Sequence, residues 1–197
     1  MVCYAVIGGS PSGVFDTWDE CKKACRGCKG AIFKKFGARE RAAQFIERCN
    51  LDGFDVDYYV YTDGACLGNG RSGARAGLGV YFGEGDVRNV SEVVVGKQTN
   101  NVAEVSAIIK AYELIKNDID AGKHVVIVTD SIYALRAVLV NEEKTNKPNK
   151  ELVDLLYKLY DGLDNVKFMY IEAHTGRMDV HSIGNDKADM LASSKLI

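Results

Sequence analysis

The stretch Tyr58-Tyr59-Val60-Tyr61-Thr62-Asp63-Gly64-Ala65-Cys66 limits the possible folds more than any other part of the chain. Aromatic and β-branched residues alternate through it, a pattern that suits a pleated, half-buried strand. The run drives into a carboxylate and then a glycine, so Asp63 is set down at a fixed point beside a turn. That placement makes Asp63 a candidate metal ligand. Two further acids occupy comparable settings: Glu104 inside an amphipathic helical run, and Asp130 after the apolar strand His124-Val125-Val126-Ile127-Val128-Thr129. Three carboxylates carried on rigid structure, not scattered through polar loops, point to a site for a divalent cation.

Around this stretch the periodicities predict strands at about 75–82, 90–96 and 166–171 and helices at about 101–117, 132–140, 150–160 and 185–194. Val105, Ile108, Ile109, Tyr112 and Ile115 fall at helical spacing in the first of these helices. Three antiparallel strands followed by α/β crossovers predict an α/β fold, a mixed five-stranded sheet flanked by helices. Upstream, strands at 3–7, 14–15 and 31–36 alternate with a helix capped by Asp16 or Thr17 and another at 38–49, a small three-stranded β/α domain. The predicted organisation is therefore a domain at 1–49, a short linker at 50–57 and a larger domain at 58–197.

Charge separates the two parts. Residues 1–50 hold nine Lys or Arg against five acids, whereas the remainder holds sixteen against twenty-two. A basic head on an acidic body locates polyanion binding in the first quarter of the chain. No apolar run reaches the roughly 20 residues that span a bilayer. The start, Met1-Val2-Cys3-Tyr4, has no charged region leading into a hydrophobic one, and the expected location is intracellular, cytoplasmic or nuclear. Cys21, Cys25 and Cys28 form C-x3-C-x2-C without a nearby fourth ligand, so they read as structural or incidental thiols, with zinc as the alternative.

The succession Tyr4-Ala5-Val6, Gly13-Val14-Phe15, Thr17-Trp18-Asp19-Glu20-Cys21 and Phe33-Lys34-Lys35-Phe36 resembles the hybrid-binding domain at the N-terminus of eukaryotic type 1 ribonucleases H and of the viroplasmin family. The resemblance implies that Trp18 and Phe33 pack against deoxyribose while Lys34 and Lys35 meet phosphate or ribose. The residue chemistry is compatible with that: the only Trp of the chain lies in a small domain, and paired lysines flanked by aromatics suit a nucleic-acid surface. The alternative is that Trp18 and Phe33 are core. Family members commonly carry a much longer connector than residues 50–57.

Residues 57–194 resemble the type 1 ribonuclease H catalytic domain. The resemblance rests on Tyr61-Thr62-Asp63-Gly64, Gln98-Thr99-Asn100-Asn101-Val102-Ala103-Glu104, Thr129-Asp130-Ser131, His174-Thr175-Gly176 and Gly184-Asn185-Asp186-Lys187-Ala188-Asp189. It implies four acidic ligands, Asp63, Glu104, Asp130 and Asp189, for two Mg²⁺ ions, with Mn²⁺ as the alternative. Asn185 followed four residues later by an acid favours Asp189 over Asp186, which is expected to face away. By resemblance, His174 assists proton handling or product departure. The stretch after it, 177–183, is longer than in many members and brings in His181 as a substitute. Asn69, Asn100 and Asn101 match minor-groove readers of the 2′ hydroxyl, and Lys97, Thr99 and Asn149 match a pocket for a DNA-strand phosphate. The basic, Trp-bearing protrusion of many relatives is replaced at 140–148 by a shorter segment with two acids.

The expected function is a Mg²⁺-dependent endonuclease acting on the RNA strand of RNA/DNA hybrids, with no obligate protein partner and no membrane association. A non-cleaving protein that binds hybrid or double-stranded RNA through its N-terminal domain is the alternative. A DNA nuclease or integrase-type enzyme of the same fold is disfavoured by the asparagine-rich readers.

Overall fold

Each predicted strand and helix is present in the computed structural model of the chain, which describes residues 2–140 and 148–196. The chain divides into two compact units, Met1–Asp55 and Val56–Ile197. In the first, strands β1 (Cys3–Ile7), β2 (Gly13–Phe15) and β3 (Ile32–Phe36) form an antiparallel sheet of order β2-β1-β3, with helices α1 (Trp18–Cys25) and α2 (Arg39–Glu47). Thr17 caps α1 through a capping box: its hydroxyl accepts the Glu20 N–H at 3.2 Å, and the Glu20 carboxylate accepts the Thr17 N–H at 3.1 Å. Val6 packs with Cys21 and Ala24 of α1, and the Phe36 and Phe45 rings meet at 5.5 Å.

The second unit comprises β4 (Tyr58–Leu67), β5 (Arg75–Tyr81), β6 (Val90–Val93), α3 (Asn100–Asp120), β7 (Val125–Thr129), α4 (Ile132–Leu139), α5 (Lys150–Tyr160), β8 (Val166–Tyr170) and α6 (Val180–Ser194). Its sheet has the order β6-β5-β4-β7-β8, with β4, β7 and β8 parallel and β5 and β6 antiparallel. The strand expected to be half-buried is the central one, and Val60, Tyr61, Thr62 and Asp63 are all buried. Alternation did not reveal this because helices cover both faces: α3 lies against Gly64, and α6 against Gly79, the partner of Asp63.

Several boundaries differ from the expectation, among them that of β4, which continues through Asp63 and Gly64 to Leu67 with no turn beside the carboxylate. Helix α6 starts at Val180, five residues early, because the Asp179 carboxylate accepts the N–H groups of His181 and Ser182 at 3.1 and 3.0 Å. Helix α3 runs on to Asp120. Strand β6 stops at Val93, three residues short of the expected end, and the Gln98 side chain takes the Ala76 N–H that a longer β6 would have claimed. No described helix is long and apolar enough to cross a membrane. Most of the shortened protrusion expected at 140–148 lies outside the described residues.

Candidate active site

Pairing between β4 and β7 ends at Thr62↔Thr129, so the next residues, Asp63 and Asp130, stand side by side where the parallel strands finish. Glu104 arrives from the second turn of α3. A Cβ on Gly64 would lie 2.3 Å from the Glu104 backbone nitrogen, and only glycine lets that helix come so close. One carboxylate oxygen from each of Asp63, Glu104 and Asp130 lies within 4.8 Å of the others, the only such grouping of three acidic, His or Cys side chains among the described residues.

The electrostatics are those of acids crowded together and largely withdrawn from water. Burial, then the nearby charges of Asp130 and Asp189, push the Asp63 carboxyl up to about 8, although the Gly64 N–H donates to its Oδ1 at 2.7 Å. Burial and the neighbouring Asp63 and Asp130 raise Glu104 well above the ordinary carboxylate range. Burial also raises Asp130, opposed by the Asn185 amide, which donates to its Oδ2 at 2.9 Å, and by His174. Glu104 Oε1 accepts from the Asn100 amide at 3.3 Å, whereas its Oε2 is buried without a partner. An unpartnered buried oxygen among mutually repelling hard donors is what a divalent cation satisfies, so the residues fit the expected metal.

Asp189, half-buried on α6, lies within electrostatic reach of Asp63 and Asp130 but outside the tight group of three. Its approach is set by a second glycine: a Cβ on Gly79 would lie 2.1 Å from the Ala188 carbonyl oxygen. Asp186, expected to face away from Asp189, is exposed on α6. Residues three apart share a helix face, and its charge also reaches Asp63. His174 occupies the loop after β8 with φ of 50° and is exposed beside Asp130. His181 is engaged elsewhere, in hydrogen-bonding contact with the Tyr61 hydroxyl at 3.3 Å and edge-on to the Tyr59 ring.

The other expected residues fall into separate groups. Asn69 Oδ1 accepts the Asn100 N–H at 3.2 Å, joining two of the three asparagines. The third, Asn101, is exposed and lines a cavity of about 350 Å³ together with Asn149, whose amide donates to the Tyr133 hydroxyl at 3.3 Å. Thr99 caps α3, accepting the Val102 N–H, and Lys97 is exposed just ahead of it. In the first unit Trp18 and Phe33 are 42% and 37% exposed, with rings 5.3 Å apart and Tyr4 beside Trp18, which is not a core arrangement. Strand alternation puts Lys35 on the face of Phe33 and sends Lys34 to the opposite face, its ammonium over Phe36. Cys21 is buried in the core, its thiol pushed up to about 11 by burial, while Cys25 and Cys28 are half-buried. Sequence reasoning gave no role to Asn185, Gly79 or Gln98; Asn185 and Gln98 lay within quoted motifs, but only contacts across the chain identify what they do.

The sheet order, with acids gathered where the parallel strands end, defines an α/β protein of the ribonuclease H-like class. Residues 55–197 match the family described as RNase H, and residues 3–46 match the ribonuclease H1 N-terminal domain. Human ribonuclease H1 is 30% identical in an alignment covering 96% of this chain and 87% of that protein, and ribonuclease H of Schizosaccharomyces pombe is 29% identical over 96% and 95%. The alignment with the human protein runs to 257 positions, against 197 residues here. The solved structure of LC11-RNase H1, from compost, is 25% identical with a TM-score of 0.52 over 69% of this chain and 92% of that one. Its complex with an RNA/DNA hybrid gives a TM-score of 0.53. The chain belongs to the ribonuclease H family.

Proposed function

We propose that the protein hydrolyses the RNA strand of RNA/DNA hybrids internally, by a two-metal-ion mechanism that leaves 5′-phosphate and 3′-hydroxyl ends. One observation carries the reading: the mutually repelling carboxylates of buried Asp63 and Glu104 and half-buried Asp130 converge, with a Glu104 oxygen left unpartnered, in a chain of this family. Asp63, Glu104, Asp130 and Asp189 would hold Mg²⁺, or Mn²⁺ in its place. When bound, the cations supply an activated water on one side of the phosphodiester and charge stabilisation of the departing 3′ oxygen on the other.

The chain's own groups do the rest. Asn185 and Asn100 fix the rotamers of Asp130 and Glu104 through their amides. His174, exposed beside Asp130, takes up or returns a proton as product leaves. Asn69, Asn100 and Asn101 read 2′ hydroxyls, and Lys97, Thr99 and Asn149 grip a phosphate of the DNA strand. Residues 1–49 capture the duplex: Trp18 and Phe33 stack on sugars, and Lys34 and Lys35 meet the backbone, with double-stranded RNA as a second ligand. Residues 50–57 connect this domain to the catalytic one at 58–197. The reading is supported by the exposed aromatic pair on the basic unit and by the hybrid found with LC11-RNase H1.

The test is incubation of the full chain with Mg²⁺ and labelled RNA/DNA, RNA/RNA and DNA/DNA duplexes. Only the RNA of the hybrid is cut, with phosphatase-sensitive 5′ ends. Asp63→Asn removes several kcal/mol of charge stabilisation and lowers the rate about 10³-fold or more. Intact hybrid with the wild-type chain, together with retained hybrid binding, makes the protein a non-cleaving binder instead.

A further inference from the structure

The motif that supplies Glu104 begins with Gln98, to which the reading above gives no task. Its side-chain amide makes three hydrogen bonds, all of them to backbone groups. Gln98 Oε1 accepts the Ala76 N–H at 2.7 Å, and its Nε2 donates to the Val94 carbonyl at 2.7 Å and to the Gly96 carbonyl at 2.9 Å. Every strong hydrogen-bonding position of that amide except one acceptor lone pair is used, all on backbone groups. Ala76 belongs to β5, Val94 follows β6, and Gly96 turns the chain with φ of 92°. A single side chain therefore closes residues 94–98 into a loop and pins that loop to the sheet.

We propose that Gln98 is a positioning residue for substrate grip: it fixes the loop from which Lys97, Thr99 and Asn100 project. The inference rests on the proposed function, which assigns those three to the phosphate and the 2′ hydroxyl. The chain downstream has its own support. Thr99 and Asn69 accept the Val102 and Asn100 N–H groups at the start of α3, and Glu104 is held one turn later by the close approach of Gly64. Loss of the Gln98 clamp thus releases Lys97 and the loop that leads into Thr99, while the start of α3 and the carboxylate stay in place. An unclamped loop must be ordered anew at each binding event, and that cost appears in KM and leaves the chemical step largely unchanged.

The experiment compares wild type, Gln98→Ala, Gln98→Met and Gln98→Glu in the full chain with Mg²⁺ and an RNA/DNA hybrid. KM, kcat and the thermal midpoint are measured separately. Met keeps the volume without the hydrogen bonds, and Glu keeps the acceptor but sets a carboxylate against two carbonyl oxygens. The expected result is a KM raised about tenfold in all three variants, with kcat within about threefold of wild type. A Gln98→Met variant with wild-type KM overturns the proposal, as does a lowered midpoint with unchanged KM, or a fall in kcat at constant KM. Should Gln98→Ala fail to fold, Gln98→Met decides. If wild type leaves the hybrid uncut, the proposed function fails; if wild type cuts and the variants bind as well as it does, only the role of Gln98 fails.

Discussion

At Asp63 the burial that serves metal binding works against the fold. An ordinary aspartate ionises near 3.8, and here burial and neighbouring acids lift the carboxyl to about 8. Between those values the folded, metal-free chain holds a proton that the unfolded chain has released, so its stability falls as pH rises through that window. Asp63→Asn removes the penalty. In EDTA at pH 8 the variant is expected to exceed wild type by about 2 kcal/mol, a shift of several degrees in the unfolding midpoint. Near pH 4, where Asp63 is neutral in the folded state, the two midpoints converge. Added Mg²⁺ reverses the order at pH 8 by stabilising wild type alone, and thermal unfolding monitored by circular dichroism reads all three conditions.

At the scale of elements, the site is made by how closely two helices approach one strand pair. Gly64 admits α3 and Gly79 admits α6, each at a distance where a Cβ would meet backbone atoms, not a flexible side-chain tip. Gly79→Ala forces α6 outward at Ala188, next to Asp189. The expected cost is about 3 kcal/mol in urea unfolding, the upper end of the overpacking range. Measured where the variant is still folded, kcat falls at least about tenfold, because Asp189 moves with its helix. Gly70→Ala is the comparison: that glycine has φ of 80° in the β4–β5 turn and open space at its Cβ, so the substitution strains the turn and leaves kcat unchanged.

For the whole molecule, the division of labour follows the division of charge. The first unit carries the excess of basic residues and the exposed Trp18 and Phe33 rings, while the second carries the acidic cluster. Deleting residues 1–49 is expected to weaken hybrid binding and processive cutting while leaving kcat on saturating short hybrids within about twofold. Trp18→Ala in the full chain reproduces most of the loss, since it removes the larger of the two exposed rings proposed to meet the sugars. Fluorescence anisotropy with a labelled hybrid reads both; unchanged affinity in the truncated chain refutes the assignment.

Local sequence carried much of this. Alternation at 58–63 and the apolar run before Asp130 are short-range signals, and they located the strands and two acids; helical spacing after Asn101 located the third. Strand and helix periods are set by backbone geometry, which each segment obeys alone. Contacts between distant segments were not legible in the same way. That β4 is buried on both faces depends on α3 and α6. The start of α6 was missed although its cap, Asp179, is in the sequence, because a short polar stretch after a Thr-Gly turn reads as loop until the helix packs. The sequence by itself determined which residues could bind a cation and which elements carry them. Only the tertiary structure decided that the three carboxylates meet and that a Glu104 oxygen is left unpartnered, since that depends on glycine-sized gaps between elements about forty to 110 residues apart, which no local pattern records.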